Sequence, residues 1–104
     1  MDLSALTLES AKQLVGTIFE VTLENGAVTT MKLDDAIPLE FRHPRRSRVK
    51  AKRAPFSLYF LGDPAMVLPQ GMYAFRSAAA TFENLFIVPV GRDEEATEYE
   101  AVFN

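Results

Sequence analysis

The chain has no cysteine and a single histidine, and its longest apolar run is Leu85–Val90. Without thiols it has no disulfide framework, no thiolate nucleophile and no Cys-based zinc site. His43 cannot build a multi-histidine metal site alone, and it sits next to Pro44 among cations, which disfavour its protonated form. The Leu85–Val90 run contains Pro89 and is far too short to cross a bilayer. The opening Met1-Asp2-Leu3-Ser4 lacks the basic and apolar regions of a secretion signal. No Gly-x-Ser-x-Gly elbow, phosphate loop or dinucleotide fingerprint occurs. Asp34-Asp35 and Asp93-Glu94-Glu95 lack the alternating oxygen ligands and central glycine of a calcium loop. These absences predict a cytoplasmic protein that is not an enzyme, with no catalytic residues, no metal, no cofactor and no membrane contact.

What is present is enough for one folded domain. The 104 residues are 48% hydrophobic and 24% charged, and eight Phe with three Tyr supply the bulk of a core. No internal repeat or low-complexity tail interrupts it. Phe103-Asn104 falls inside the last predicted strand, so 1–104 reads as a single complete β domain. The net charge of −3 conceals a strong asymmetry. Arg42, Arg45, Arg46, Arg48, Lys50, Lys52 and Arg53 are seven of the eleven bases, and no acid lies among them. The rest of the chain sets four bases against all fourteen acids. An acidic body thus carries one basic segment, and 42–55 is expected to be a mobile hairpin loop.

Periodicity predicts a short helix over 7–15, then strands. Thr7 is placed to cap the helix, and Ser10 stands where a capping box usually has Glu or Gln. Leu8, Ala11, Leu14 and Val15 share a face, and Gly16 ends the run. Phe19, Val21 and Leu23 then alternate with polar residues up to Asn25-Gly26. A two-residue turn would pair Phe19 with Lys32, whereas the three-residue loop Glu24-Asn25-Gly26 pairs Phe19 with Met31 and Val21 with Thr29. The second register is expected, with Gly26 left-handed, because a one-residue slip reverses every side chain.

Later apolar positions at Met31, Leu33, Ile37, Leu39 and Phe41 read as one inward face, with Pro38 demanding an edge or bulge. Phe56–Leu61 is an aromatic strand broken by Gly62-Asp63-Pro64. Leu68-Pro69-Gln70-Gly71 suits a type I turn, and Tyr73 and Phe75 share a face beyond it. Phe82, Phe86, Val88 and Val90 read as a second common face. The last strand turns Tyr99, Ala101 and Phe103 inward. The whole is a mainly β fold, an antiparallel barrel or sandwich of six or seven strands with a short N-terminal helix.

Two features contrast with this framework. The arginine-rich segment suits phosphate through bidentate, charge-assisted hydrogen bonds, but it contains no aromatic on which bases would stack. Tyr59 alternates away from Leu58 and Phe60 and is the best candidate for an exposed aromatic contact. The candidate partner contacts are therefore Arg42, Arg45, Arg46, Arg48, Lys50, Lys52, Arg53 and Tyr59. A protein partner is the first reading and anion or nucleic-acid binding through 42–53 the second. Self-association stays open. A hollow barrel carrying a small molecule is a third reading and would need a pocket of a few hundred Å³.

Several segments together resemble a family of small uncharacterised bacterial single-domain proteins. They are Leu14–Val21, Ala54-Pro55-Phe56-Ser57-Leu58-Tyr59-Phe60, Val67-Leu68-Pro69-Gln70-Gly71-Met72-Tyr73, Phe86-Ile87-Val88-Pro89-Val90-Gly91 and Tyr99–Asn104. The chain departs from that pattern at Arg76-Ser77-Ala78, where the family commonly has a histidine. The resemblance carries over no catalytic residue. It implies an accessory role beside phage-tail-like proteins rather than catalysis.

Overall fold

The computed structural model describes residues 3–39 and 55–104. The basic segment, with Arg42, Arg45, Arg46, Arg48, Lys50, Lys52 and Arg53, lies outside the described residues, as does the loop expected there. A 3-10 turn, Leu3–Ala5, and a single helix, α1 (Leu8–Lys12), precede six strands: β1 (Ile18–Thr22), β2 (Val28–Pro38), β3 (Phe56–Gly62), β4 (Gly71–Arg76), β5 (Thr81–Arg92) and β6 (Thr97–Phe103). All neighbours are antiparallel, and the sheet closes in the order β1-β2-β3-β6-β5-β4. The architecture is therefore a six-stranded barrel, not a sandwich. It consists of two three-stranded meanders, β1-β2-β3 and β4-β5-β6, joined along the seams β3–β6 and β1–β4.

The N-terminal helix is shorter than the 7–15 expected. Thr7 caps it in a reciprocal box: the Ser10 N–H donates to Thr7 Oγ1 (3.2 Å) and the Thr7 N–H to Ser10 Oγ (3.0 Å). Serine thus does here what Glu or Gln usually does. Gly16, at φ +95°, ends the turn and donates its N–H to Leu33 O. Leu6, Ala11 and Leu14 join the core, while Val15 is exposed.

The first hairpin has the three-residue loop that the pattern favours. Phe19 pairs with Met31 and Val21 with Thr29. The Leu23 N–H donates to Ala27 O, the Gly26 N–H to Leu23 O, and Gly26 has φ +83°. Asn25 Oδ1 accepts from the Ala27 N–H at 2.9 Å, which fixes the turn further.

Two bulges overturn two of the expected faces. In β2 the register slips between Leu33 and Asp35, so Ala36 turns inward and Ile37 turns out to solvent. In β5 Phe82 pairs with Phe75 and Leu85 with Tyr73, which places one extra β5 residue opposite β4. Leu85 and Ile87 therefore share the buried face with Phe82, and Phe86 points outward. A bulge changes the parity of every residue after it, and alternation read straight through one gives the wrong face. Pro38 is tolerated at the very end of β2.

Aromatic rings fill the barrel. Phe19 stacks on Phe82 (5.5 Å between centroids), Phe60 packs on Phe75 (4.8 Å) and Phe56 stacks on Phe103 (4.9 Å). All six are buried, so side chains occupy the interior that a hollow carrier would need.

The remaining constraint is the link between the meanders. β3 and β4 lie on opposite sides of the ring, so residues 63–70 must cross a barrel mouth. Asp63 starts the crossing: its side chain accepts from the Ala65 N–H and its carbonyl from the Met66 N–H. The expected turn at Leu68–Gly71 is present as a bend at Gln70 with no Gly71 N–H to Leu68 O hydrogen bond across it. The segment is held by neighbouring groups, with the Leu68 N–H donating to the buried phenol of Tyr99 (2.8 Å) and the Tyr73 hydroxyl donating to Pro69 O (2.7 Å). The Tyr99 hydroxyl in turn donates to Met66 O (3.3 Å). Replacing Tyr99 by Phe strands the Leu68 N–H against the core. It is expected to cost about 1–3 kcal/mol, read as a lower midpoint of chemical denaturation with an unchanged slope.

Candidate functional site

Tyr59 lies in β3 with its side chain on the outer face and half-buried. It pairs with Asp35 of β2 on one side and Glu100 of β6 on the other. Its hydroxyl donates to Glu100 Oε2 at 2.9 Å, and the same oxygen accepts from Ser57 Oγ at 2.7 Å. The hydrogen bond to Glu100, then burial, then the charges of Glu100 and Glu98 push the Tyr59 phenol above its ordinary range. Tyr59 is thus a fastened side chain rather than a free aromatic finger. Asp34, Asp35, Ile37 and Glu98 line a shallow cavity of about 260 Å³ beside it. The carboxylates do not converge: among the described residues no group of three or more His, Asp or Glu side chains is placed to hold a metal ion.

Ser57 was not legible as part of this cluster. It projects to the outer face yet is fully buried, and its partner Glu100 is 43 residues away in sequence. Only the closed β3–β6 seam brings the two together.

A second feature is apolar. Met72 of β4 pairs with Phe86 of β5, and both are exposed, at 64% and 45%. Val88 pairs with Glu100, so continuing that register by two residues carries Phe86 toward Val102 of β6, which is 53% exposed. Val102 pairs with Ser57, and Ser57 with Ile37, itself 42% exposed. One outward row thus runs Met72, Phe86, Val102, Ser57, Ile37 across five strands. Strands lie about 4.8 Å apart, so the row extends roughly 20 Å around the barrel. The parallel row Asp35, Tyr59, Glu100, Val88 borders it with negative charge.

The third feature is a groove of about 410 Å³ at the mouth that residues 63–70 cross. The turn residues Leu23, Glu24 and Asn25 form one wall, and segment 68–73 forms the other. Its floor includes buried Leu68 and half-buried Leu23 and Tyr73. Glu24 is the single charged residue that lines it. Desolvation first, and the Glu24 charge second, raise the Tyr73 phenol above its ordinary range.

Of the sequence-predicted contacts, only Tyr59 falls within the described residues. On either side of the undescribed stretch, the Leu39 N–H donates to Pro55 O at 3.0 Å. Among the described residues no helix is long and apolar enough to cross a membrane.

The Tyr59–Glu100 bond has a measurable consequence. A phenol whose folded pKa is raised contributes stability below its unfolded pKa, and that contribution is lost as pH rises through the folded value. Glu100→Gln removes the charge and is expected to bring the Tyr59 transition down toward pH 10, the ordinary phenol value. Ultraviolet difference titration of phenolate, compared with a Tyr59→Phe control, checks it; an unmoved transition would show that Glu100 is not the cause.

Comparison with curated proteins and with solved structures finds no match. A family model described as a domain of unknown function, DUF6916, matches residues 6–103, nearly the whole barrel and its helix, and the chain belongs to that family.

Proposed function

We propose that this barrel is a non-enzymatic docking domain that binds a protein partner through its outer sheet face. The observation that carries the reading is the apolar row Met72, Phe86, Val102 and Ile37. Met72, Phe86 and Val102 stand side by side on a rigid sheet, with Ile37 beyond the buried Ser57, and burial against a partner there releases ordered water and costs little conformational entropy. The acidic border, with Asp35 and Glu100, favours a partner with basic residues at the rim. A place in a bacterial phage-tail-like assembly is part of this proposal and rests on the sequence resemblance alone.

A second reading, anion or nucleic-acid binding, is favoured by one observation: the seven bases without an acid between Arg42 and Arg53. Against it, the rest of the chain sets four bases against fourteen acids, and that acidic body repels a polyanion lying along it.

One experiment separates the two readings. Affinity capture is run with and without nuclease on wild type, on Phe86→Lys/Val102→Lys, and on Arg45→Ala/Arg46→Ala/Arg48→Ala, each first shown to be folded by circular dichroism. Docking predicts a protein retained after nuclease by wild type and the arginine variant, and lost from the Phe86/Val102 variant. Retention that needs nucleic acid and the three arginines would overturn it, as would capture indifferent to Phe86 and Val102.

A further inference from the structure

The β1–β4 seam is short. Glu20, Val21 and Thr22 pair with Arg76, Phe75 and Ala74, and β1 then turns away into the Leu23–Ala27 hairpin. β4 nevertheless begins at Gly71. Its β1-facing side from Gly71 to Tyr73 therefore has no ladder partner among the described residues, and this edge opens into the 410 Å³ groove. The other side of the same stretch is held rigid by β5, through Gly71–Ile87, Met72–Phe86 and Tyr73–Leu85. An open, pre-formed strand edge beside an apolar floor is the arrangement by which sheets accept an added strand.

We propose that the groove binds an extended peptide segment of a partner protein, which pairs with Gly71–Tyr73 as an added antiparallel strand at the β1–β4 seam. Three residues of edge span about 10 Å, so three or four peptide residues pair directly. Main-chain hydrogen bonds supply part of the affinity, and alternate apolar side chains of the peptide meet Leu23, Leu68 and Met72. Glu24 is the single charge on the walls, so a lysine or arginine at that end of the peptide is preferred over an acid. This deepens the docking reading by giving a partner's chemistry at a surface that shares Met72 with the outer row but includes neither Phe86 nor Val102. Failure at the groove would leave the outer-face result standing, and the reverse also holds.

The test uses the full chain and four synthetic hexapeptides: acetyl-Lys-Val-Thr-Val-Thr-Val-amide, the same peptide with Glu for Lys, and the Lys peptide N-methylated at alternate amides in each of the two frames. Amide chemical shifts and hydrogen exchange are followed by NMR. The Lys peptide is expected to shift and protect amides of Leu23–Asn25 and Gly71–Tyr73. It should bind about fivefold tighter than the Glu peptide, as expected for one exposed ion pair. One N-methylated frame should lose at least about tenfold in affinity. Glu24→Lys, a substitution in an exposed turn, should reverse the charge preference while the shifted amides stay the same. No perturbation by any peptide at millimolar concentration would overturn the proposal. So would equal binding of both N-methylated frames, a preference unmoved by Glu24→Lys, or protection of the same amides by self-association without peptide.

Discussion

The phenol of Tyr99 is the contact on which the topology depends. A barrel made of two meanders requires the chain to pass from β3 to β4 across a mouth, and a crossing segment buries main-chain groups that no ladder satisfies. Tyr99 sits on β6 at the core edge and meets that demand with one oxygen, accepting from the Leu68 N–H and donating to Met66 O. Gly62 makes room for it: a Cβ there would stand 3.2 Å from both the Tyr99 ring and Met31 Cγ. Held down in this way, the crossing presses Leu68 into the mouth and lays Pro69 and Gln70 along one wall of the groove. The same hydroxyl therefore closes the core and shapes the groove.

Where the chain is locally regular, its structure can be read from its residues. The first hairpin is set by Gly26 and by the need to keep Lys32 away from Phe19, both of which are short-range facts. β6 is likewise plain, because Tyr99, Ala101 and Phe103 alternate with Glu98, Glu100 and Val102 without interruption. The errors in strand facing fall after the bulges. Nothing in Leu33-Asp34-Asp35 or Glu83-Asn84 declares which residue the ladder will skip, since the partner strand makes that choice. Plain alternation for this reason puts Ile37 and Phe86 in the core, although they form part of the exposed row.

The candidate sites were less legible than the fold. Tyr59 was identified as outward-facing from its parity, but its tether to Glu100 and the burial of Ser57 exist only once β3 and β6 are adjacent. The groove is written in the sequence only as a turn motif, Leu68–Gly71, and no hydrogen bond closes that turn. Its value lies in what the segment does instead, which depends on the distant Tyr99. Contacts across seams carry little local signature, and every candidate surface on this barrel lies at or beside a seam.

The two meanders are alike in plan: a short strand, a long one and one of intermediate length, in the same order, with one bulge in the first long strand and two in the second. Neither half is closed by itself. Until the β1–β4 and β3–β6 seams form, each meander presents two open edges, and the contacts that cover them are distant in sequence and slow to find. Because 63–70 is the only chain linking the halves, the same two seams can form between halves of different molecules if that crossing is released. Domain exchange through residues 63–70 is thus the characteristic route by which this topology would misassemble, and the Tyr99 tether on the crossing guards against it.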